Sequence, residues 1–385
     1  MDFNLNEDQR AFISTARQFS KQELAPNAAG WDKEHYFPKD VIQRAGELGF
    51  CGLYAPEKAG GLGLSRLDSS LIFEQLAMGC TTTTAMMTIH NMATWMVATW
   101  ATEQIKQQWC DELISGQKLA SYCLTEPGSG SDAASLSTTA VKQGETYILN
   151  GSKVFISGAG ETELLVVMAR TGEAGPKGIS AFAVPADIEG VIYGKAEEKM
   201  GWHAQPTRQI TFENVAIPVA NLLGQEGQGF TMAMKGLDGG RINIATCSIG
   251  TAQQALNTAV GYMQERKQFG KPLAAFQALQ FKIADMTTEL VAARQLTRMA
   301  AFKLDNNDVD ATSYCAMAKR FATDVGFTVC NEALQIHGGY GYIQEYPLER
   351  YVRDVRVHQI LEGTNEIMRL IIGRRALTEM AGELL

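Results

Sequence analysis

Residues 145–157 read ETYILNGSKVFIS, and the reading of this stretch divides the chain. Glu145–Leu149 and Lys153–Ser157 are short runs rich in Tyr, Ile, Val and Phe, which suit a pleated, half-buried surface. Asn150-Gly151 between them predicts a two-residue hairpin, because both residues accept the positive φ that such a turn demands. Leu164–Ala169, Ile179–Val184 and Gln209–Phe212 repeat the composition, separated by glycine-rich breaks at 172–178, Gly190 and 224–229. From about Ser121 to Leu223 the pattern predicts a small antiparallel sheet or barrel.

On both sides of this segment the period is helical. Phe12, Ile13, Ala16 and Phe19 recur at one-turn spacing, and Pro26 closes that helix. The pattern resumes through Val41–Leu48 and Ser69–Met78. Thr83–Thr99 is rich in Met, Ala and Trp, with no formal charge before Glu103, so it predicts a helix buried on every side. Downstream, Ile242–Arg266, Ala278–Leu304 and Ala311–Ile336 predict long helices. A glycine-rich hairpin at His337–Tyr342 and a last helix over about Asn365–Glu379 follow. Segregated runs of this kind predict an α+β, mainly α protein. We expect an N-terminal helical domain (1–119), a middle antiparallel β domain (120–229) and a C-terminal bundle of long helices (230–385).

Composition excludes several classes of function. The 385 residues are 45% apolar and 20% charged with 10 prolines, the balance of a folded chain and not of a disordered one. Lys+Arg 34 against Asp+Glu 42 gives a net charge of −8, so no basic footprint for nucleic acid is expected. No apolar run approaches the roughly 18 residues that span a bilayer. The start, MDFNLNEDQR, resembles neither a secretory signal nor an Arg-rich presequence. It predicts a cytoplasmic protein of bacterial type, or a processed organelle-matrix form. Seven scattered cysteines without C-x-x-C read as reduced thiols, and five unpaired histidines predict no metal site.

Individual motifs are ambiguous. Gly128-Ser-Gly130-Ser-Asp-Ala133 fits a relaxed dinucleotide fingerprint, but the residues after it lead into strand pattern, not a three-turn helix, so a Rossmann unit is excluded. Such a loop can still receive a phosphate or a flavin edge on its backbone N–H groups, though on pattern alone an ordinary turn explains it better. No Walker A and no G-x-S-x-G occur. Gly338 and Gly339 either end a helix or admit a bulky ligand. Glu362 is approached by Val357, Ile360 and Leu361 and followed by Gly363. It is either a solvated surface carboxylate or one bent into an apolar cleft, where a raised pKa would suit a general base.

The order of the segments is more specific than any one of them. YCLTEPGSGSDAAS (122–135), FISGAG (155–160), GLDGGR (236–241), RKQFGKPL (266–273), QIHGGYGY (335–342) and RVHQILEGTNE (356–366) follow one another. Together they resemble the acyl-CoA dehydrogenase family over essentially the whole chain. The resemblance implies a helical domain, a β domain and a C-terminal four-helix bundle, with FAD as cofactor. Glu362 matches the catalytic base. In some relatives the base lies immediately before the arginine of the GLDGGR segment, where this chain has Gly240, which cannot take a proton. Tyr122, Leu124, Thr125, Gly130 and Ser131 match the loop holding the flavin ring and pyrophosphate, with Ser131 also near the substrate. Phe155 and Ser157 match residues against the flavin. Arg266, Phe269, Gln277, Gln335 and Gly339 match contacts to the FAD of a neighbouring subunit, which implies a homo-oligomer, by family habit a tetramer. Thr364 and Glu366 match further FAD contacts, and Asp238, Arg241 and Arg374 match groups around the acyl-CoA.

The activity so implied is α,β-dehydrogenation of a short branched acyl-CoA, isobutyryl-CoA to methacrylyl-CoA in valine breakdown. Glu362 would take the α-proton and flavin N5 the β-hydride, with electrons passed to electron-transfer flavoprotein. Alternatives are 2-methylbutyryl-CoA or a short straight chain as substrate, or an acyl-CoA oxidase of the same fold. A flavin-containing DNA-binding relative is disfavoured by the net charge of −8.

Overall fold

A computed structural model describes residues 4–378. Its first helix, α1 (Glu7–Phe19), opens on a capping box in which the Asn6 side chain and the Gln9 side chain each accept the other's backbone N–H. A π-helical turn (Ser20–Leu24) carries the helix to the edge of Pro26. There follow α2 (Ala28–Glu34), α3 (Lys39–Glu47), α4 (Arg66–Gly79), α5 (Thr81–Trp100) and α6 (Glu103–Ile114). Almost every residue of α5 is buried, as its uncharged composition predicts, since it runs between α4, α6, the sheet and the C-terminal helices.

The middle segment holds β1 (Ala120–Cys123), β2 (Thr139–Gln143), β3 (Thr146–Ser157), β4 (Leu164–Arg170), β5 (Ile179–Pro185), β6 (Val191–Ala196), β7 (Thr207–Pro218) and β8 (Leu222–Leu223). They form one sheet in the order β6-β7-β3-β2-β4-β5-β8, with β1 beside β4. Most pairings are antiparallel, while β1–β4 and β2–β4 are parallel.

The predicted Asn150-Gly151 hairpin is not there. β3 runs straight through both residues, and the true hairpin is at Gly144-Glu145 between β2 and β3, with Gly144 at φ +61. Gly151, at φ +148, instead marks a bulge where the β3–β7 register slips. A Cβ on Gly151 would lie 2.4 Å from Thr138 Oγ1, so the bulge needs glycine for a close strand approach. Tolerance of positive φ signals bulge and hairpin alike.

The chain then enters α7 (Gly229–Glu265), a 37-residue helix that begins well before the expected Ile242. A tight ribbon of β9 (Lys267–Gln268) and β10 (Lys271–Pro272) leads to α8 (Gln277–Asp305) and α9 (Ala311–His337). Gly338, at φ +61, ends α9. The expected hairpin at 337–342 is instead one helical turn, α10 (Gly339–Tyr342), closed by Gly341 N–H donating to Gly338 O at 3.0 Å. Last come α11 (Leu348–Arg356) and α12 (Asn365–Thr378), with the expected end at Glu379 lying outside the described residues. α7, α8 and α9 pack around Ile249, Leu256, Leu290 and Val329, and α12 lies along α9. Because α7 also touches α4, α5 and β5, it is the strut on which helical domain, sheet and bundle meet. No helix among the described residues is long and apolar enough to cross a membrane.

Candidate active site

Between a 3-10 turn (Val357–Gln359) and α12 the chain bends sharply, with Glu362 at φ +56 and Gly363 at φ +89. A left-handed conformation costs a non-glycine residue about 1–2 kcal/mol, so something must hold it. The bend aims the carboxyl at α7: a Cβ built on Gly240 would meet Glu362 Oε2 at 2.3 Å and Cδ at 2.7 Å. The carboxyl thus rests on bare helix backbone. Glu362 keeps some solvent contact as a residue, yet Oε2 is sealed off and has no hydrogen-bond partner. Burial pushes its pKa up to about 7, against the opposing pull of Arg241 and then Lys319.

The neighbouring groups arrive from three directions. On α7, Arg241 Nη1 donates to Asp238 Oδ1 at 2.6 Å, and Asp238 Oδ2 accepts from Thr312 Oγ1 at 2.7 Å. Burial raises the Asp238 carboxyl despite Arg241. On β1, the Tyr122 hydroxyl donates to Ala233 O at 3.4 Å, and burial followed by the charge of Glu362 pushes it well above the usual phenol range. In the bend itself, the N–H groups of Glu362, Gly363, Thr364 and Glu366 have no acceptor among the described residues. The Thr364 hydroxyl caps α12 by accepting from Ile367 N–H at 3.3 Å. A carboxylate that resists ionisation beside a row of free donors at a helix N-terminus suits proton removal next to a carbonyl.

The strand ends next to Tyr122 are fixed by a buried ion pair. Lys153 Nζ donates to Glu126 Oε1 at 2.7 Å and to Leu124 O at 3.0 Å, while Glu126 Oε2 accepts from Ser137 N–H at 2.6 Å. Burial works to raise the Glu126 carboxyl, but Lys153 and its other donors hold it down to about 2. Lys153 itself is lowered by burial, with Glu126 pulling it back. Lys153→Met would strand a buried carboxylate, so denaturant unfolding should show a stability loss of about 3–5 kcal/mol. An unchanged midpoint would mean that the pair does not pin the loop.

A second bulge interrupts the β3–β7 register between Lys153 and Ile156, beside the residues expected to meet a flavin. Phe155 stands at φ +58 with 67% of its surface exposed. Val154 N–H donates to Thr125 O at 2.9 Å, which ties the bulge to the end of β1. Ser157 O accepts from Ser121 Oγ at 2.7 Å. Gly130 and Ser131 lie exposed on the adjoining loop, and a Cβ on Gly130 would meet nothing within 4 Å. An unpacked aromatic face beside hydroxyls and open backbone fits a flat polar ring system.

Other expected residues lie elsewhere. Arg266, at the end of α7, and Gly339 line a concavity of about 460 Å³ with His337 and Tyr340. Phe269 is 94% exposed on the β9–β10 turn, while Gln277 opens α8 and Gln335 sits exposed near the end of α9. Arg266 is 26 positions beyond Gly240, about 39 Å along the helix axis. Arg374 is exposed on α12. Sequence reasoning missed Lys319, Asn365 and the Glu126–Lys153 pair, since each is defined by burial and not by a local pattern.

Comparison with known proteins agrees with this layout. Family models described as the N-terminal, middle and C-terminal domains of acyl-CoA dehydrogenase match residues 6–117, 121–215 and 227–377. The chain is 54% identical over 375 residues to the mitochondrial isobutyryl-CoA dehydrogenase of Bos taurus, covering 97% of this chain and 90% of that protein. It is 42% identical over 375 residues to the mitochondrial short-chain specific acyl-CoA dehydrogenase of Rattus norvegicus, covering 97% and 91%. Among solved structures, butyryl-CoA dehydrogenase from Megasphaera elsdenii superimposes with a TM-score of 0.94 at 40% identity, covering 98% of this chain and 100% of that one. With three domain models in sequence and a relative above half identity along nearly its full length, the chain belongs to the acyl-CoA dehydrogenase family, whose members are FAD-dependent oxidoreductases of acyl-CoA thioesters.

Proposed function

We propose that this enzyme dehydrogenates a short branched acyl-CoA, isobutyryl-CoA first, with Glu362 as the base. The observation that carries the reading is the sealed, unpartnered Oε2 of Glu362 against Gly240. A carboxylate with its pKa raised to about 7 is basic enough to take an α-proton yet still ionised at working pH. The free N–H groups of the 362–366 bend can donate to the thioester oxygen as negative charge develops there. Apolar Ile244, Trp202 and Leu361 cluster beside the base and exclude water. Asp238, Arg241 and Arg374 would bind the acyl-CoA outside that cluster, with Ser131 close by. Bound FAD supplies the acceptor for the β-hydride, and electrons leave to electron-transfer flavoprotein.

Tyr122, Leu124, Thr125, Gly130 and Ser131 would hold the cofactor together with Phe155, Ser157, Thr364 and Glu366. Arg266, Phe269, Gln277, Gln335 and Gly339 would complete the site of a neighbouring copy, which the 39 Å separation along α7 supports. A homotetramer follows the family habit. Arg266→Ala should therefore lower the FAD content of purified protein while leaving Glu362 intact. Unchanged flavin content would remove Arg266 from the shared site.

Branch preference rests on the identity gap between the isobutyryl-CoA and short-chain relatives, 54% against 42%. Leu361 beside the base leaves more room for an α-methyl group than a tyrosine would. The test is a panel of isobutyryl-, 2-methylbutyryl-, isovaleryl- and butyryl-CoA with an artificial electron acceptor. Isobutyryl-CoA should give the highest kcat/KM, which would place the enzyme in valine breakdown, and a higher value for butyryl-CoA would overturn the assignment.

A further inference from the structure

Lys319 lies in the middle of α9 with 0% of its surface exposed. Burying an ammonium costs several kcal/mol unless it is well partnered. The Lys319 amine finds its partners in the bend: Nζ donates to Gly363 O at 2.7 Å and to Asn365 Oδ1 at 2.9 Å. Asn365 is itself clamped, its Nδ2 donating to Asp324 Oδ1 at 2.7 Å and to Thr323 Oγ1 at 3.0 Å. On the other side of the bend, Gln359 Nε2 donates to the same Asp324 oxygen at 2.8 Å. One stretch of α9 therefore grips the chain before and after Glu362, the residue held at φ +56.

From this geometry we infer that Lys319 is a positioning residue for the reaction: its buried amine locks the 363–365 bend so that the Glu362 carboxyl stays against Gly240, and its charge faces that carboxyl. The inference rests on Glu362 being the base. Replacing a buried ion with an apolar side chain of similar volume is often neutral or stabilising, so the two bonds from the amine to the bend, not packing, are what Lys319 adds.

The groups around the pair are few. Glu362 is faced by Arg241 from α7, Lys319 from α9 and Tyr122 from β1, with Tyr54 of the α3–α4 segment within its field. Lys319 is faced by Glu362, Arg241, Asp324, Glu366 and His358. Burial pushes Lys319 down to about 7, with Glu362 the main charge pulling it back. On the acid side of the Glu362 titration the amine is therefore protonated and favours the carboxylate. Removing the amine leaves burial less opposed, so the base should need a higher pH to ionise.

The test uses FAD-loaded Lys319→Met, which removes donor and charge, and Lys319→Gln, which keeps a donor for Gly363 O. With flavin content and melting temperature recorded for each, Lys319→Met should lose about tenfold or more in kcat. The acid limb of its kcat–pH profile should move up by about half a pH unit or more. Lys319→Gln should recover part of kcat while keeping the displaced limb, and it carries the test alone if the Met variant does not fold. An unmoved acid limb with kcat within about threefold of the parent, in whichever variant folds, overturns the inference. Glu362→Gln measured in parallel separates the two readings. Normal turnover there removes the base itself, whereas loss of turnover beside parent-like Lys319 variants removes only the role of Lys319.

Discussion

Glu362→Gln is expected to purify yellow, with its FAD in place, and to lose about 10²–10⁴-fold in turnover on isobutyryl-CoA. The amide has the size and shape of the carboxyl it replaces, and Oε2 makes no hydrogen bond whose loss could disturb the bend. The variant also removes a charge that burial disfavours, so its thermal stability should equal or exceed that of the parent. What it cannot do is accept a proton. Loss of activity with flavin and fold intact therefore isolates the acid–base step, and turnover within tenfold of the parent would show that another group removes the proton.

The second large effect is expected from a single methyl group. Gly240→Ala places a Cβ 2.3 Å from Glu362 Oε2, closer than two such atoms can approach, so the carboxyl must move. A displacement of about 1 Å at a reacting group is worth roughly 10²-fold in rate. Alanine is also the better helix former by about 1 kcal/mol in a helix interior, which argues against loss of α7 as the cause. The expected signature is an enzyme no less stable, fully loaded with FAD, and about a hundredfold slower. Parent-like rates would mean that the carboxyl does not need this contact. The same contact accounts for a glycine at position 240, inside a 37-residue helix. Gly239 makes a parallel case, since a Cβ there would lie 2.4 Å from Arg66 Nη1.

Those two glycines also show where sequence reading stopped. The long helices α8 and α9 and the uncharged α5 were legible because their periodicity reflects one buried face or complete burial. The start of α7 was not, because local propensity sets glycine against a helix while tertiary contact demands it here. Asn150-Gly151 failed for a related reason, since its conformational freedom serves a bulge as readily as a turn. Glu362 was legible as a candidate from its apolar approach and Gly363, but the surface that receives its carboxyl comes from α7, far away in sequence. Lys319 left no signal, because its partners lie 44 and 46 residues downstream and nothing in its own helix requires an amine.

Rapid anaerobic mixing of the holoenzyme with isobutyryl-CoA across a pH series bears most directly on Glu362 as the base. Loss of the visible flavin absorption should be rapid and should follow one ionisation near pH 7, slow below it and level above it, because only the carboxylate can take the proton. In Glu362→Gln that bleaching should be nearly absent at every pH. Bleaching of the variant at the parent's rate, or a parent rate indifferent to pH between about 5 and 9, would contradict the account.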